Sequence, residues 1–112
     1  MSTLREGAAA SAGVRVLAPV GQFLGEPRFR WVPHDEAWLY RVELVGPKGQ
    51  PLAKGWSGQH ELPLAWLRRP DGQAPDLVAG QTYRWQVHAY KEGPDGPPCA
   101  ASAEVEFVFL GP

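Results

Sequence analysis

The sequence predicts an all-β protein, a seven-stranded antiparallel β-sandwich, and three observations carry that prediction. Large apolar residues recur at every second position in several short runs, with charged or polar residues between them. That is the period of a strand with one buried face. The runs are separated by turns rich in Gly and Pro, the residues that end strands and set tight turns. No long stretch has the 3.6-residue apolar period of a helix. Short strands spaced by turn signals are the pattern of two packed antiparallel sheets.

Each element follows in chain order. Residues 1–13 are small and polar without period and read as a flexible N-terminal tail, leaving 14–112 as the folded domain. Val14–Pro19 is a short alternating run closed by proline, suited to a sheet edge. The following segment to Pro27 reads as a loop. In Pro27–Pro33, Phe29 and Trp31 share one face and Arg28 and Arg30 the other. Trp38–Val45 continues the pattern, with Trp38, Tyr40, Val42 and Leu44 inward and Arg41 and Glu43 outward.

Leu52–Ser57 is a weaker strand. His60–Leu67 allows two readings: a strand with Pro63 at an edge, or a helical turn that starts at Pro63. Arg68–Asp76 reads as a loop. Thr82–Tyr90 is the clearest strand, with Tyr83, Trp85, Val87 and Ala89 on one face. Lys91–Ser102 reads as a long Gly/Pro loop, and the segment to Leu110 closes the domain with Val105, Phe107 and Phe109 inward.

A chain of 112 residues with five Trp has the size and apolar content of one domain. Eleven basic and twelve acidic residues leave a net charge of −1. Nucleic acid calls for a basic face, so no nucleic-acid partner is expected. Arg68 and Arg69 alone make too small a cluster for an anionic membrane surface. No segment approaches the roughly 20 apolar residues of a membrane span, so no direct membrane insertion is expected. Cys99 is the one cysteine, which excludes an internal disulfide and a cysteine zinc site. The N-terminus lacks the apolar core of a signal peptide. The expectation is a cytoplasmic chain as written, or a cell-envelope or extracellular module if it is part of a longer one. Asn and Ile are absent while Gly, Pro, Ala and Arg abound, a composition read as that of a GC-rich bacterial genome.

Leu77, Gly80 and Tyr83 fall at intervals of three residues in LVAGQTY. This spacing resembles the tyrosine corner of fibronectin type III and related immunoglobulin-like domains, of a bacterial type. Trp31 resembles the core tryptophan of that family's second strand, Tyr40 and Val42 its third strand, and Trp85 a further core position. The resemblance covers residues 14 to 110. It implies that Leu77 plugs the core, Gly80 permits the turn, and the Tyr83 hydroxyl bonds back to the backbone. No Arg-Gly-Asp tripeptide is present to carry integrin binding.

No constellation predicts catalysis. Gly55–Gln59 nearly spells a Gly-x-Ser-x-Gly nucleophile elbow around Ser57 but ends in Gln59, and it lacks the strand-to-helix setting. His34, His60 and His88 show no metal-ligand spacing. Glu43 and Arg84, on outward faces of neighbouring strands, are expected to pair across them. Trp56, Trp66 and Trp38 are the candidates for a binding surface, with Arg68 and Arg69 beside them, because exposed large apolar side chains mark contact sites. The expected function is a non-catalytic interaction or spacer module without cofactor. Its partner would be another protein or the rest of a larger host chain. The alternative is a carbohydrate-binding module that stacks polysaccharide on its tryptophans.

Overall fold

Backbone pairing and side-chain burial agree on a two-residue period, so the apolar runs become strands. The computed structural model describes residues 13–112; the expected N-terminal tail lies, but for Gly13, outside the described residues. The strands are β1 (Val16–Ala18), β2 (Gly21–Phe23), β3 (Arg28–Trp31), β4 (Leu39–Val45), β5 (Pro51–Ser57), β6 (Glu61–Pro63), β7 (Thr82–Tyr90), β8 (Ala100–Ala101) and β9 (Val105–Phe109). A single 3₁₀ turn, Leu64–Trp66, follows β6. Both readings of His60–Leu67 are therefore realised in succession. Pro63 ends a strand at a sheet edge and fixes the entry to the turn.

The strands form two sheets, one of order β1-β3-β6 and one of order β2-β9-β7-β4-β5 with β8 added beside β7. This is the predicted sandwich with nine strands among the described residues instead of seven. The two additional strands lie in segments expected to be loops. Gly21–Phe23 pairs in parallel with Phe107–Phe109, and Ala100–Ala101 pairs with His88 and Ala89. Neither segment alternates apolar and polar residues, so periodicity could not reveal it. Main-chain bonds to an already formed neighbour hold each one. The β2–β9 pair is the one parallel pairing among these strands; the others are antiparallel.

The core lies where the inner faces meet. Phe29, Trp31 and Leu62 from the smaller sheet face Val42, Leu44, Trp85, Val87 and Phe107 from the larger, and none is more than 1% exposed. Their rings interlock edge to face. Phe29 meets Trp85 at 5.0 Å between centroids and Phe107 at 6.2 Å. The buried Trp85 indole N–H donates to the Pro19 carbonyl at 2.9 Å. The core strand is thereby tied to the chain where it passes from one sheet to the other.

At the turn into β7, Gly80 takes a φ of +88°, which side chains with a Cβ resist. Its N–H donates to the Phe109 carbonyl at 2.6 Å. Leu77 packs against the core. Tyr83 is 2% exposed, and its hydroxyl accepts the Val78 N–H at 2.7 Å. Tyr40 repeats this device at the entry to β4, where its hydroxyl accepts the His34 N–H at 2.8 Å.

The expected Glu43–Arg84 pair does not form. Register places Val45 opposite Arg84 and Gln86 opposite Glu43. Arg84 reaches Glu104 at 3.5 Å instead, and Glu43 reaches Arg41 on its own strand at 2.8 Å.

Two substitutions test this packing by urea denaturation. Tyr83→Phe leaves the Val78 N–H without its acceptor and should cost about 1–3 kcal/mol; a change within error would mean that the bond contributes nothing net. Phe29→Ala removes a ring held by two aromatic neighbours and should cost about 3–5 kcal/mol.

Candidate functional site

Alternation decides what the larger sheet shows on its outer face. In β5, Ala53 and Gly55 face the smaller sheet, so Leu52, Lys54 and Trp56 turn outward. In β4 the outward residues are Arg41, Glu43 and Val45. In β7 they are Arg84, Gln86, His88 and Tyr90. Register then sets Trp56 opposite Arg41 and Lys54 opposite Glu43, with His88 opposite Arg41 on the other side.

Arg41 is the hub of this face. Its guanidinium carbon lies 5.7 Å from the ring centroid of Trp56 and 5.7 Å from that of Tyr90. The two rings are themselves 5.2 Å apart. A guanidinium over an aromatic face is attracted by the ring quadrupole. Trp56, 39% exposed, is thus a fixed platform with an exposed edge.

A wall rises beside β5. Gly55 permits it: a Cβ there would lie 2.9 Å from Leu67 Cδ2 and 3.1 Å from Leu62 Cδ2. Leu67 can therefore bury completely against β5. Trp66, at the end of the 3₁₀ turn, is left 66% exposed. The chain then runs alongside β5 for one residue. Lys54 N–H donates to the Arg68 carbonyl at 3.0 Å and Arg68 N–H to the Lys54 carbonyl at 2.9 Å. The Arg68 guanidinium braces the wall, with Nη1 donating to the Ala65 carbonyl at 2.6 Å and the Leu67 carbonyl at 2.8 Å. Arg69 pairs with Asp71 at 3.3 Å.

Strands and wall bound an open groove of about 740 Å³, lined by Leu52, Lys54, Trp56, Trp66, Arg68 and Arg69 among others. Four of the five residues singled out from sequence therefore meet at one place. Trp38 does not join them. The two-residue spacing predicts it inward beside Tyr40, but it precedes β4 and is 57% exposed. Its indole N–H donates to the Lys91 carbonyl at 2.9 Å, against the loop that follows β7. Alternation ceases to apply outside the strand, and the indole finds a main-chain acceptor there.

Sequence reasoning missed Arg41, Lys54, Gly55 and Tyr90. The outward alternation of β5 put Lys54 beside Trp56 and was a usable signal. The stacking of Arg41 needed the β4–β5–β7 register, which the sequence does not state.

Other candidates stay apart. The Ser57 hydroxyl donates to the Glu61 carbonyl at 2.9 Å and accepts the Gln59 N–H at 2.9 Å, so it fastens a turn. Among the described residues no group of three or more His, Cys, Asp and Glu could hold a metal ion. Cys99 is half-buried, and its N–H donates to the Ala89 carbonyl at 2.8 Å. No helix among the described residues is long and apolar enough to cross a membrane.

Burial, with Arg41 adding to it and Glu43 opposing, holds His88 below its ordinary pKa of 6.5. Above that value His88 is neutral in folded and unfolded chains alike. As pH falls below it, the unfolded chain binds a proton first, so stability should decline until folded His88 also protonates. His88→Gln should flatten this part of a stability–pH profile, as followed by urea denaturation at each pH. Gly55→Ala should cost about 1–3 kcal/mol by forcing Leu67 off β5, measurable by the same method.

No family model matches the chain, and no curated protein matches it. Among solved structures the fold is similar to that of CopC from Methylosinus trichosporium OB3b, with a TM-score of 0.54 and 16% sequence identity, covering 88% of this chain and 94% of that one. At that identity the likeness is one of fold alone.

Proposed function

We propose that this chain is a non-catalytic binding module of fibronectin type III-like design, and that a protein partner docks in the groove between β5 and the Trp66–Pro70 wall. One observation carries the reading: Trp66 at 66% and Trp56 at 39% exposure flank a single groove. Trp31 and Trp85 are fully buried in the core. Two left in water on one groove are the aromatic anchors around which interfaces form. The tyrosine hydroxyl bond at the turn into β7 supports the family likeness. The hydrogen bonds that occupy Ser57 support a role without catalysis.

The exposed tryptophans also favour a second reading, stacking on sugar rings. The groove's side chains offer donors for that but few acceptors. Its charged side chains are Lys54, Arg68, Arg69 and Glu43, and the Glu43 carboxylate is already bonded to Arg41. A neutral polysaccharide leaves hydroxyls to be paired, and unpaired polar groups weaken binding.

Photo-crosslinking from position 66 in the producing cell tests the reading. A discrete protein adduct that disappears with Trp56→Ala is expected. Trp66→Ala should weaken retention of that protein about tenfold or more and leave thermal stability nearly unchanged. No adduct, together with a tryptophan emission shift on titration with a neutral polysaccharide, would replace the protein reading with the carbohydrate one.

A further inference from the structure

Lys54 and Arg68 are directly opposite each other in an antiparallel bridge. Directly opposed residues project to the same side, and like charges so placed repel. Lys54 has no ion-pair partner among the described residues. Glu43, its register partner on the other side, is the obvious candidate, but its carboxylate reaches Arg41 at 2.8 Å instead. Arg68 spends Nη1 on two carbonyls of its own turn. A guanidinium has five N–H donors, so others remain for a ligand. Main-chain bonds thus hold two cationic residues side by side at the edge of an apolar groove that also exposes Trp56 and Trp66.

From this we infer that the groove recognises an extended acidic peptide segment of its partner, with one carboxylate seated between Lys54 and Arg68 and the apolar or aromatic neighbours of that carboxylate lying on Leu52, Trp56 and Trp66. The inference rests on the reading of the groove as the binding surface and adds the chemistry of its occupant. A carboxylate removes the repulsion between the two cations and accepts charge-assisted hydrogen bonds from both. The apolar floor takes the residues beside it. A basic or neutral peptide would leave the two charges facing each other under a lid of protein, where they interact more strongly than in water.

Selection of a randomised eight-residue peptide library on the intact chain tests this. Retained peptides should be enriched in Asp or Glu flanked by apolar residues, and their affinity should fall about tenfold or more in Lys54→Glu. That variant should favour Lys or Arg at the same peptide position. Lys54 is exposed, and thermal denaturation of each variant confirms folding. Trp66→Ala should lower retention without changing the charge preference. If Trp66→Ala lowers retention but acidic residues are not enriched, or Lys54→Glu leaves their preference unchanged, the carboxylate site is overturned while the groove stands. If no peptide is retained, or retention ignores both variants, groove and inference fail together. Retention on a polyuronate gel that is lost in Lys54→Glu, without peptide binding, would assign the two cations to an acidic polysaccharide and overturn the peptide.

Discussion

The fold depends on the place of Trp85 between the two sheets. β7 is bonded to β4 along one side and to β9 and β8 along the other, so its inward side chains meet every layer of the core. Trp85 supplies the largest of them. Its ring meets Phe29 of the opposite sheet in a T-shaped contact, and its N–H holds the Pro19 carbonyl. That single donor would be costly to bury unpaired. Paired, it fixes the chain between β1 and β2, the two strands that lie in different sheets. The core thus specifies where the chain crosses from one layer to the other, besides excluding water.

The outer face inherits its order from this arrangement. A register fixed by buried side chains on one side determines what lies side by side on the other. Val42 opposite Val87 in the core puts Arg41 between Trp56 and His88 outside. Arg41 is consequently held by two rings and a carboxylate, and it no longer counts among the cations available to a ligand. Lys54 lies one row along the same face without such partners. A cation is fastened in one row and left unpaired among the described residues in the next, and register alone separates the two cases.

Much of this was legible in the residues. Phe29, Trp31, Tyr83 and Trp85 announced their burial by alternation, and the long strand β7 was readable to its last residue. β2 and β8 were not, because Gly21–Phe23 and Ala100–Ala101 pair through the main chain, which leaves no period in the side chains. Trp56 and Trp66 could be suspected from irregular strands around them. Their convergence could not, because it depends on Leu67 reaching β5, and that depends on a missing Cβ at Gly55. Trp38 misled for the opposite reason: its spacing matched the strand, but the strand begins one residue later.

The bridge between Lys54 and Arg68 has one more consequence. β5, with seven residues, is the longest strand at a sheet edge, and such an edge invites another chain to pair with it. Arg68 already occupies the main-chain groups of Lys54 at mid-strand. Two residues on stands Pro70, which has no N–H with which to continue a ladder. The edge is capped by its own chain, so a visiting segment must lie across the face and cannot extend the sheet. Copies of the domain placed close together, on one polypeptide or at high concentration, would find the middle of this edge already taken.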